Sequence, residues 1–292
     1  IFKNNKIRIE NSSNGIYAEK IIEYMGGLEK CRIFKIRGVR SILNELSIAQ
    51  GLTEETNKDT ITFKKNLRFG ITHSDLKNKI SDKIPDRFGG PNWDYKNYKD
   101  LIIYRGQQNT LNPEMVIDYL IDKKILRTGM KLLCDNCTKE DWYNISEFSE
   151  TFICKYCFKK QNVGTLKKNE WRYKLDGLFM IPDTGQGSLA VILSLWRFSH
   201  LSRYNNYKYT TSINLYDIND NYKKNEIDFS CMILIPPHFD YELIIGEATN
   251  FSEFTKDDFV KLSKLACKFS KKPYLCFCTL KDHFSNYEKK GN

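Results

Sequence analysis

The sequence contains no hydrophobic run long enough to cross a membrane. A helix that spans a bilayer needs about 18 or more consecutive apolar residues, whereas the most apolar window, residues 189–196, is far shorter. Residues 1–10 are polar and charged, so we expect no signal peptide at this end of the sequence. The chain starts at Ile1 rather than Met, which suggests a piece of a longer product. We expect a cytoplasmic protein with no membrane partner.

Phosphate-cradling glycine loops are also missing from the sequence. Neither the P-loop nor the dinucleotide-binding pattern occurs, so we expect no NTPase within this chain, although a protein partner or a missing segment could supply one. Histidine is scarce, and its four copies show no ligand spacing: His73, His200, His238 and His283.

Acidic residues are outnumbered by basic ones. The chain has 46 Lys and Arg against 36 Asp and Glu, a net charge of +10, and most of the excess lies before residue 131. A basic surface favours an anionic partner, nucleic acid above all. The alternative is a lysine-rich chain whose charges only keep it soluble. The hydrophobic share, 41%, is enough for a buried core.

Cysteine is present in an odd number, nine, which disfavours a disulfide framework. Four of the cysteines form two C-x2-C pairs separated by sixteen residues: Cys134, Cys137, Cys154 and Cys157. Two such pairs can complete a tetrahedral thiolate site, and each follows a short apolar run as in a zinc ribbon. We predict structural zinc, and redox-active thiols are the alternative. A closed four-thiolate site leaves no open position for chemistry.

Around the ribbon, residues 111–165 are predicted to form one helical, winged-helix-like unit. Pro113 opens a helix with apolar residues at helical spacing. Lys155, Lys159 and Lys160 could contact nucleic acid or form a solvated rim. Residues 1–110 are predicted to form a basic, mixed but mostly helical N-terminal domain of undetermined fold.

The C-terminal part, residues 166–292, shows the order helix, three strands, helix, strand. Asp228 starts the second of these strands and Glu247 ends the third. If the two strands form an antiparallel hairpin through residues 236–240, both carboxylates lie side by side. Adjacent carboxylates repel unless a cation neutralises them, and hard oxygen ligands favour Mg²⁺ or Mn²⁺.

This element order, with Asp228 and then Glu247-Ala248, resembles the PD-(D/E)xK, or restriction-endonuclease-like, nuclease superfamily. The resemblance covers roughly residues 185–280 and implies an α/β fold (α+β overall) with an αβββαβ core. It implies metal binding by Asp228, Glu247 and the backbone carbonyl of Ala248. A further ligand could come from Gln186 or Glu226. Double-stranded DNA is the implied substrate, although RNA stays open.

Thr249 stands where the superfamily pattern has a catalytic lysine, on the same strand face as Glu247. Three explanations stay open. A cation could come from the neighbouring helix, which carries Lys256, Lys261 and Lys264. The site could be inactive by nature, or a substitution could have disarmed it.

We therefore expect a metal-dependent nuclease that hydrolyses DNA phosphodiester bonds, with Asp228, Glu247 and position 249 as its catalytic residues. Prokaryotic DNA defence or repair is the implied setting, with antiviral defence as one form. The first alternative is an inactive nuclease-fold module that binds nucleic acid or assembles a larger complex. The second is a zinc-ribbon adaptor that binds protein.

Overall fold

The computed structural model describes ten stretches of the chain. These are residues 7–47, 68–81, 113–165, 170–180, 187–201, 207–217, 220–235, 240–250, 252–281 and 283–290. Gln186, the residues that join the second and third predicted C-terminal strands, and most of residues 48–112 lie outside the described residues.

Helices and strands both contribute, so the mixed α and β composition expected from the sequence is confirmed. The helices are α1 (Ser13–Met25), α2 (Arg37–Leu46), α3 (His73–Ser81), α4 (Pro113–Asp122), α5 (Ser188–Leu201), α6 (Lys256–Ala266) and α7 (Asn286–Lys290). The strands are β1 (Ile7–Asn11), β2 (Ile71–Thr72), β3 (Leu126–Leu133), β4 (Glu140–Asn144), β5 (Thr151–Ile153), β6 (Lys160–Asn162), β7 (Glu170–Leu175), β8 (Tyr207–Asp217), β9 (Asp220–Ile235), β10 (Asp240–Thr249) and β11 (Tyr274–Thr279).

The chain divides into two compact units. One unit combines Ile1–Arg32 with Asp183–Asn292, and the other is Ile33–Pro182. This division differs from the three consecutive segments expected from the sequence, because β1 pairs antiparallel with β8 across about two hundred residues of chain. The first strand and helix are therefore part of the C-terminal unit.

The unit formed by Ile33–Pro182 contains a four-stranded sheet in the order β2-β7-β3-β4 and a two-stranded β5-β6 hairpin. The helix predicted at Pro113 is confirmed as α4, and it precedes β3. Both short hairpins, β3-β4 and β5-β6, are antiparallel. A small apolar cluster links them, with Met130, Leu132, Tyr143 and Phe152 as its buried members. This cluster fixes the two strands that lead into the cysteine pairs.

The other unit contains a five-stranded sheet in the order β1-β8-β9-β10-β11. Neighbouring strands are antiparallel except for β10 and β11, which are parallel and joined through α6. The predicted order of helix, three strands, helix, strand is confirmed as α5-β8-β9-β10-α6-β11.

Apolar side chains of α6 pack on this sheet. Leu262, Leu265 and Phe269 form one cluster with buried residues of the strands, among them Ile245 of β10. The helix begins at a capping box in which Thr255 and Asp258 bond each other's backbone amides, as the first-turn pattern of the sequence favours. This packing holds the second half of α6 against the sheet.

No helix in the described stretches has both the length and the apolar character that a membrane-crossing segment requires.

Candidate metal centres

Two hairpin turns bring the four paired cysteines together. Cys134 and Cys137 lie between β3 and β4, and Cys154 and Cys157 lie between β5 and β6. The Sγ atoms of Cys134 and Cys157 are 3.5 Å apart, those of Cys137 and Cys154 are 3.6 Å apart, and all four lie within 4.8 Å of one another. In a tetrahedral zinc–thiolate site, sulfurs lie about 3.8 Å apart. The four thiols can hold one metal ion.

The two turns, which we call the first knuckle (residues 134–139) and the second knuckle (residues 154–159), repeat one backbone pattern. In the first, Cys134 N–H donates to Lys139 O and Thr138 N–H donates to Cys134 O. The equivalent bonds of the second join Cys154 to Lys159 and Phe158 to Cys154. The fifth residue of each knuckle has the same left-handed conformation, with φ of 57°.

Hydrogen bonds to sulfur favour the thiolate forms that a metal requires. The backbone N–H of Lys159 and the side chain of Asn136 lower the pKa of the Cys157 thiol to about 6. Gln161 Nε2 donates to Cys134 Sγ at 2.9 Å, and Tyr156 N–H donates to Cys154 Sγ at 3.4 Å. The donor set and its surroundings therefore fit a thiophilic ion.

Asp228 and Glu247 are brought together in the other unit. The last paired residues of β9 and β10 at this end are Phe229 and Gly246, so the carboxylates occupy the next position on each strand. Their carboxyl groups share a hydrogen bond. The backbone N–H of Ala248 donates to Asp228 Oδ2 at 2.7 Å, which fixes the orientation of that carboxyl group. The side-by-side placement predicted from the hairpin is confirmed.

The environment of this carboxyl pair disfavours two negative charges. Burial, followed by the charge and hydrogen bond of Asp228, raises the pKa of Glu247 to about 9. Burial also raises the pKa of Asp228, against the opposing effect of the Ala248 amide. Glu226 and Asp258 add further negative charge that raises both pKa values. One proton is therefore held between the two carboxyl groups at neutral pH, in the place where a cation would be favourable.

Thr249 carries no charge, and both its hydroxyl and its carbonyl oxygen are hydrogen-bonded to backbone amides. Its Oγ1 accepts a hydrogen bond from Ser252 N–H at 3.1 Å, and its carbonyl accepts one from Leu280 N–H at 3.2 Å. The residue thus closes the turn after β10 and ties it to the end of β11, which lies beside it in parallel register.

No family model, curated protein or solved structure matched this chain. Its function is therefore inferred from the geometry of these two groups of residues.

The lysines proposed as substitutes for the missing cation are exposed on α6. Lys256, Lys261 and Lys264 form no hydrogen bond or ion pair with Asp228 or Glu247 in the described part of the chain. Glu226 contributes charge near the pair, and Gln186 lies outside the described residues. In the described stretches, the four cysteines are the only group of three or more His, Cys, Asp or Glu residues whose ligand atoms are close enough to share an ion.

Sequence reasoning missed two features near this site. Asp258 of α6 acts as a capping residue, and its negative charge also raises the pKa values of Asp228 and Glu247. Glu288 is fully buried and accepts hydrogen bonds from Phe254 N–H at 2.9 Å, Ser285 N–H at 2.7 Å and Lys281 Nζ at 3.0 Å. The Ser285-x-x-Glu288 spacing, typical of a capping box, was the available signal for the second feature.

Proposed function

We propose that the chain is a divalent-metal-dependent nuclease that hydrolyses DNA phosphodiester bonds. The observation that carries this proposal is the hydrogen-bonded, partly buried pair of Asp228 and Glu247 on adjacent strands, held by the Ala248 amide at 2.7 Å. Buried acidic pairs with raised pKa values are unfavourable unless they serve a site. The order α5-β8-β9-β10-α6-β11 agrees with the restriction-endonuclease-like core that the sequence resembles.

The chain's own residues account for part of the chemistry. Asp228 and Glu247 would hold Mg²⁺ or Mn²⁺ through carboxylate oxygens, the ligands that these hard cations prefer. When bound, such an ion polarises a phosphate and lowers the pKa of a bound water. Ala248 orients Asp228 through its backbone N–H, and Ile245 of the buried cluster lies two residues before Glu247 on β10. Binding of such an ion by Asp228 and Glu247 would require release of the proton held by Glu247.

The cysteine cluster supports a separate, structural role. We propose that it binds one Zn²⁺, since four thiolates close the tetrahedral shell and leave no position for substrate. The net charge of +10 supports a nucleic-acid partner, double-stranded DNA in the first place. A cytoplasmic location agrees with nine cysteines that are all free thiols.

A second candidate function is favoured by Thr249. Because Thr249 bonds Ser252 and carries no charge, position 249 does not supply the cation that would stabilise charge developing in the transition state. The chain would then bind nucleic acid through the same fold without cleaving it.

Cleavage of supercoiled plasmid DNA with Mn²⁺ tests the proposal. We expect nicked and linear products from the wild type and none from Asp228→Asn or Glu247→Gln. Asp240→Asn is the matched control, because Asp240 lies on the same strand β10 but is exposed and paired with Lys271. Absence of cleavage by the wild type, with DNA binding retained, would establish the second candidate. Cleavage that survives Asp228→Asn would contradict the first.

A further inference from the structure

The two cysteine knuckles share a backbone but differ in what they expose. The second and third residues of the first knuckle are Asp135 and Asn136, and its fifth is Thr138. In the second knuckle, Tyr156 and Phe158 occupy the third and fifth positions, with Lys155 at the second. Because the first knuckle makes the same backbone hydrogen bonds with small polar residues, the metal site itself does not require the aromatic side chains.

Phe158 is unfavourable at its position for two physical reasons, its exposure and its backbone conformation. Its side chain is 77% exposed, which leaves a large apolar surface in water. Its φ of 57° lies in the left-handed region, where a bulky residue is strained and Gly or Asn is favoured. Because Thr138 has the same φ in the first knuckle, the knuckle backbone sets this conformation, and a large exposed aromatic residue there has a reason outside the metal site.

Cations surround this aromatic surface. Tyr156 is 46% exposed, and its hydroxyl accepts a hydrogen bond from Arg68 at 3.0 Å. Lys159 and Lys160 follow Phe158 directly and are exposed. Lys155 is engaged inside the unit, since its Nζ donates to Trp142 O at 2.8 Å. Lys159 Nζ donates to Asn136 Oδ1 at 3.5 Å but the residue stays exposed, so the cations available at this surface are Arg68, Lys159 and Lys160.

We propose that the second knuckle is a base-stacking surface for single-stranded DNA. Exposed aromatic rings flanked by cations are the combination that binds unpaired bases, because rings stack on bases while cations neutralise the phosphates. An apolar protein partner would not need the three cations, and duplex DNA would not offer its base faces. This proposal deepens the proposed nuclease function by assigning a contact to an unpaired stretch of the substrate.

Exchange of the aromatic residues for those of the first knuckle tests the assignment. The double variant Tyr156→Asn and Phe158→Thr places at these positions the side chains that the first knuckle already carries. Binding of a labelled single strand of about 15 nucleotides is measured by fluorescence anisotropy with full-length, zinc-loaded protein and no added Mg²⁺ or Mn²⁺. We expect roughly 10- to 100-fold weaker binding, with unchanged zinc content and equal or higher thermal stability. Tyr274→Asn is the control, since Tyr274 is 60% exposed and lies outside the knuckle.

Two single variants separate stacking from general apolar contact. Phe158→Tyr keeps the ring and should retain binding, whereas Phe158→Leu keeps apolar surface without the ring and should weaken it. These two decide the matter even if the double variant loses zinc. Unchanged affinity in the double variant, equal affinity of Phe158→Leu and wild type, or a wild type that ignores single strands would each overturn the proposal. Binding of the single strand is measured without the catalytic cation. A protein that fails to cleave plasmid DNA can therefore still bind single strands through the second knuckle, and a protein that fails to bind single strands can still cleave.

Discussion

Glu247→Gln should stabilise the protein when no divalent cation is present. Folding buries the Glu247 carboxyl group beside Asp228 and raises its pKa to about 9, against about 4.3 in an unfolded chain. Between these two values the folded protein binds a proton that the unfolded chain has released. The contribution of the Glu247 carboxyl group to the free energy of unfolding is therefore greatest below the unfolded pKa, and it decreases as pH rises towards the folded pKa of about 9.

The size of this effect follows from the pKa difference. From the unfolded pKa of about 4.3 to pH 7 there are roughly 2.7 pH units, over which the wild type loses at most about 3 to 4 kcal/mol in free energy of unfolding. Relaxation and water entry would reduce that value, so we expect a gain of about 1 to 3 kcal/mol for Glu247→Gln at pH 7. At 2–4 °C for each kcal/mol in a domain of about this size, Tm should rise by roughly 2 to 12 °C.

Thermal unfolding in Mg²⁺-free buffer at pH 5 and pH 8 measures this prediction. The advantage of Glu247→Gln over the wild type should be larger at pH 8 than at pH 5. Addition of Mn²⁺ should stabilise the wild type by about 2.7 kcal/mol at 100 times its Kd, and leave the variant unaffected. Asp240→Asn controls for loss of an acidic residue on the same strand. A variant that is less stable than the wild type at pH 8 without cations would refute the reasoning.

Four further changes test other parts of the structure. Cys157→Ser should abolish stoichiometric zinc, seen by elemental analysis, and unfold the hairpins, since such sites contribute about 10–16 kcal/mol. Glu288→Ala should lower the free energy of unfolding by about 3 kcal/mol in chemical denaturation, because Lys281 would stay largely buried without its partner. The pKa of Glu288 is lowered to about 2 in the folded protein. The contribution of Glu288 to stability should therefore be lost as pH falls from about 4.5 towards 2. Gly246→Ala should cost about 1–3 kcal/mol by the same measurement, as a Cβ there would lie 2.2 Å from the Phe229 ring. Thr249→Lys should increase plasmid cleavage about 10²–10³-fold if the missing cation limits the rate, and an unchanged rate would point to a substitute elsewhere.

The sequence predicted those parts of the structure whose signals are local. The strand-like runs that became β8 to β11, the N-cap of α6 and the C-x2-C spacing are each signals within a few residues, and the structure confirms the elements that they indicate. The Asp228 and Glu247 placement also followed, because a hairpin fixes which residues lie opposite each other.

Long-range pairing left no comparable signal. Ile7–Asn11 is a short strand whose partner, β8, follows about two hundred residues later, so no local periodicity shows that they meet. The expected boundary at residue 110 therefore missed the contribution of β1 and α1 to the C-terminal unit. The buried carboxylate of Glu288 was only partly predictable, since Ser285 lies three residues before it whereas Phe254 lies 34 residues before it.

The central claim is that Asp228 and Glu247 together bind a divalent cation. Anomalous diffraction at the manganese edge, from crystals soaked in Mn²⁺, tests it most directly. The account predicts a strong peak between the two carboxyl groups that disappears in crystals of Glu247→Gln. A map without such a peak, in which the carboxyl groups of the wild type keep their mutual hydrogen bond at saturating Mn²⁺, would contradict it.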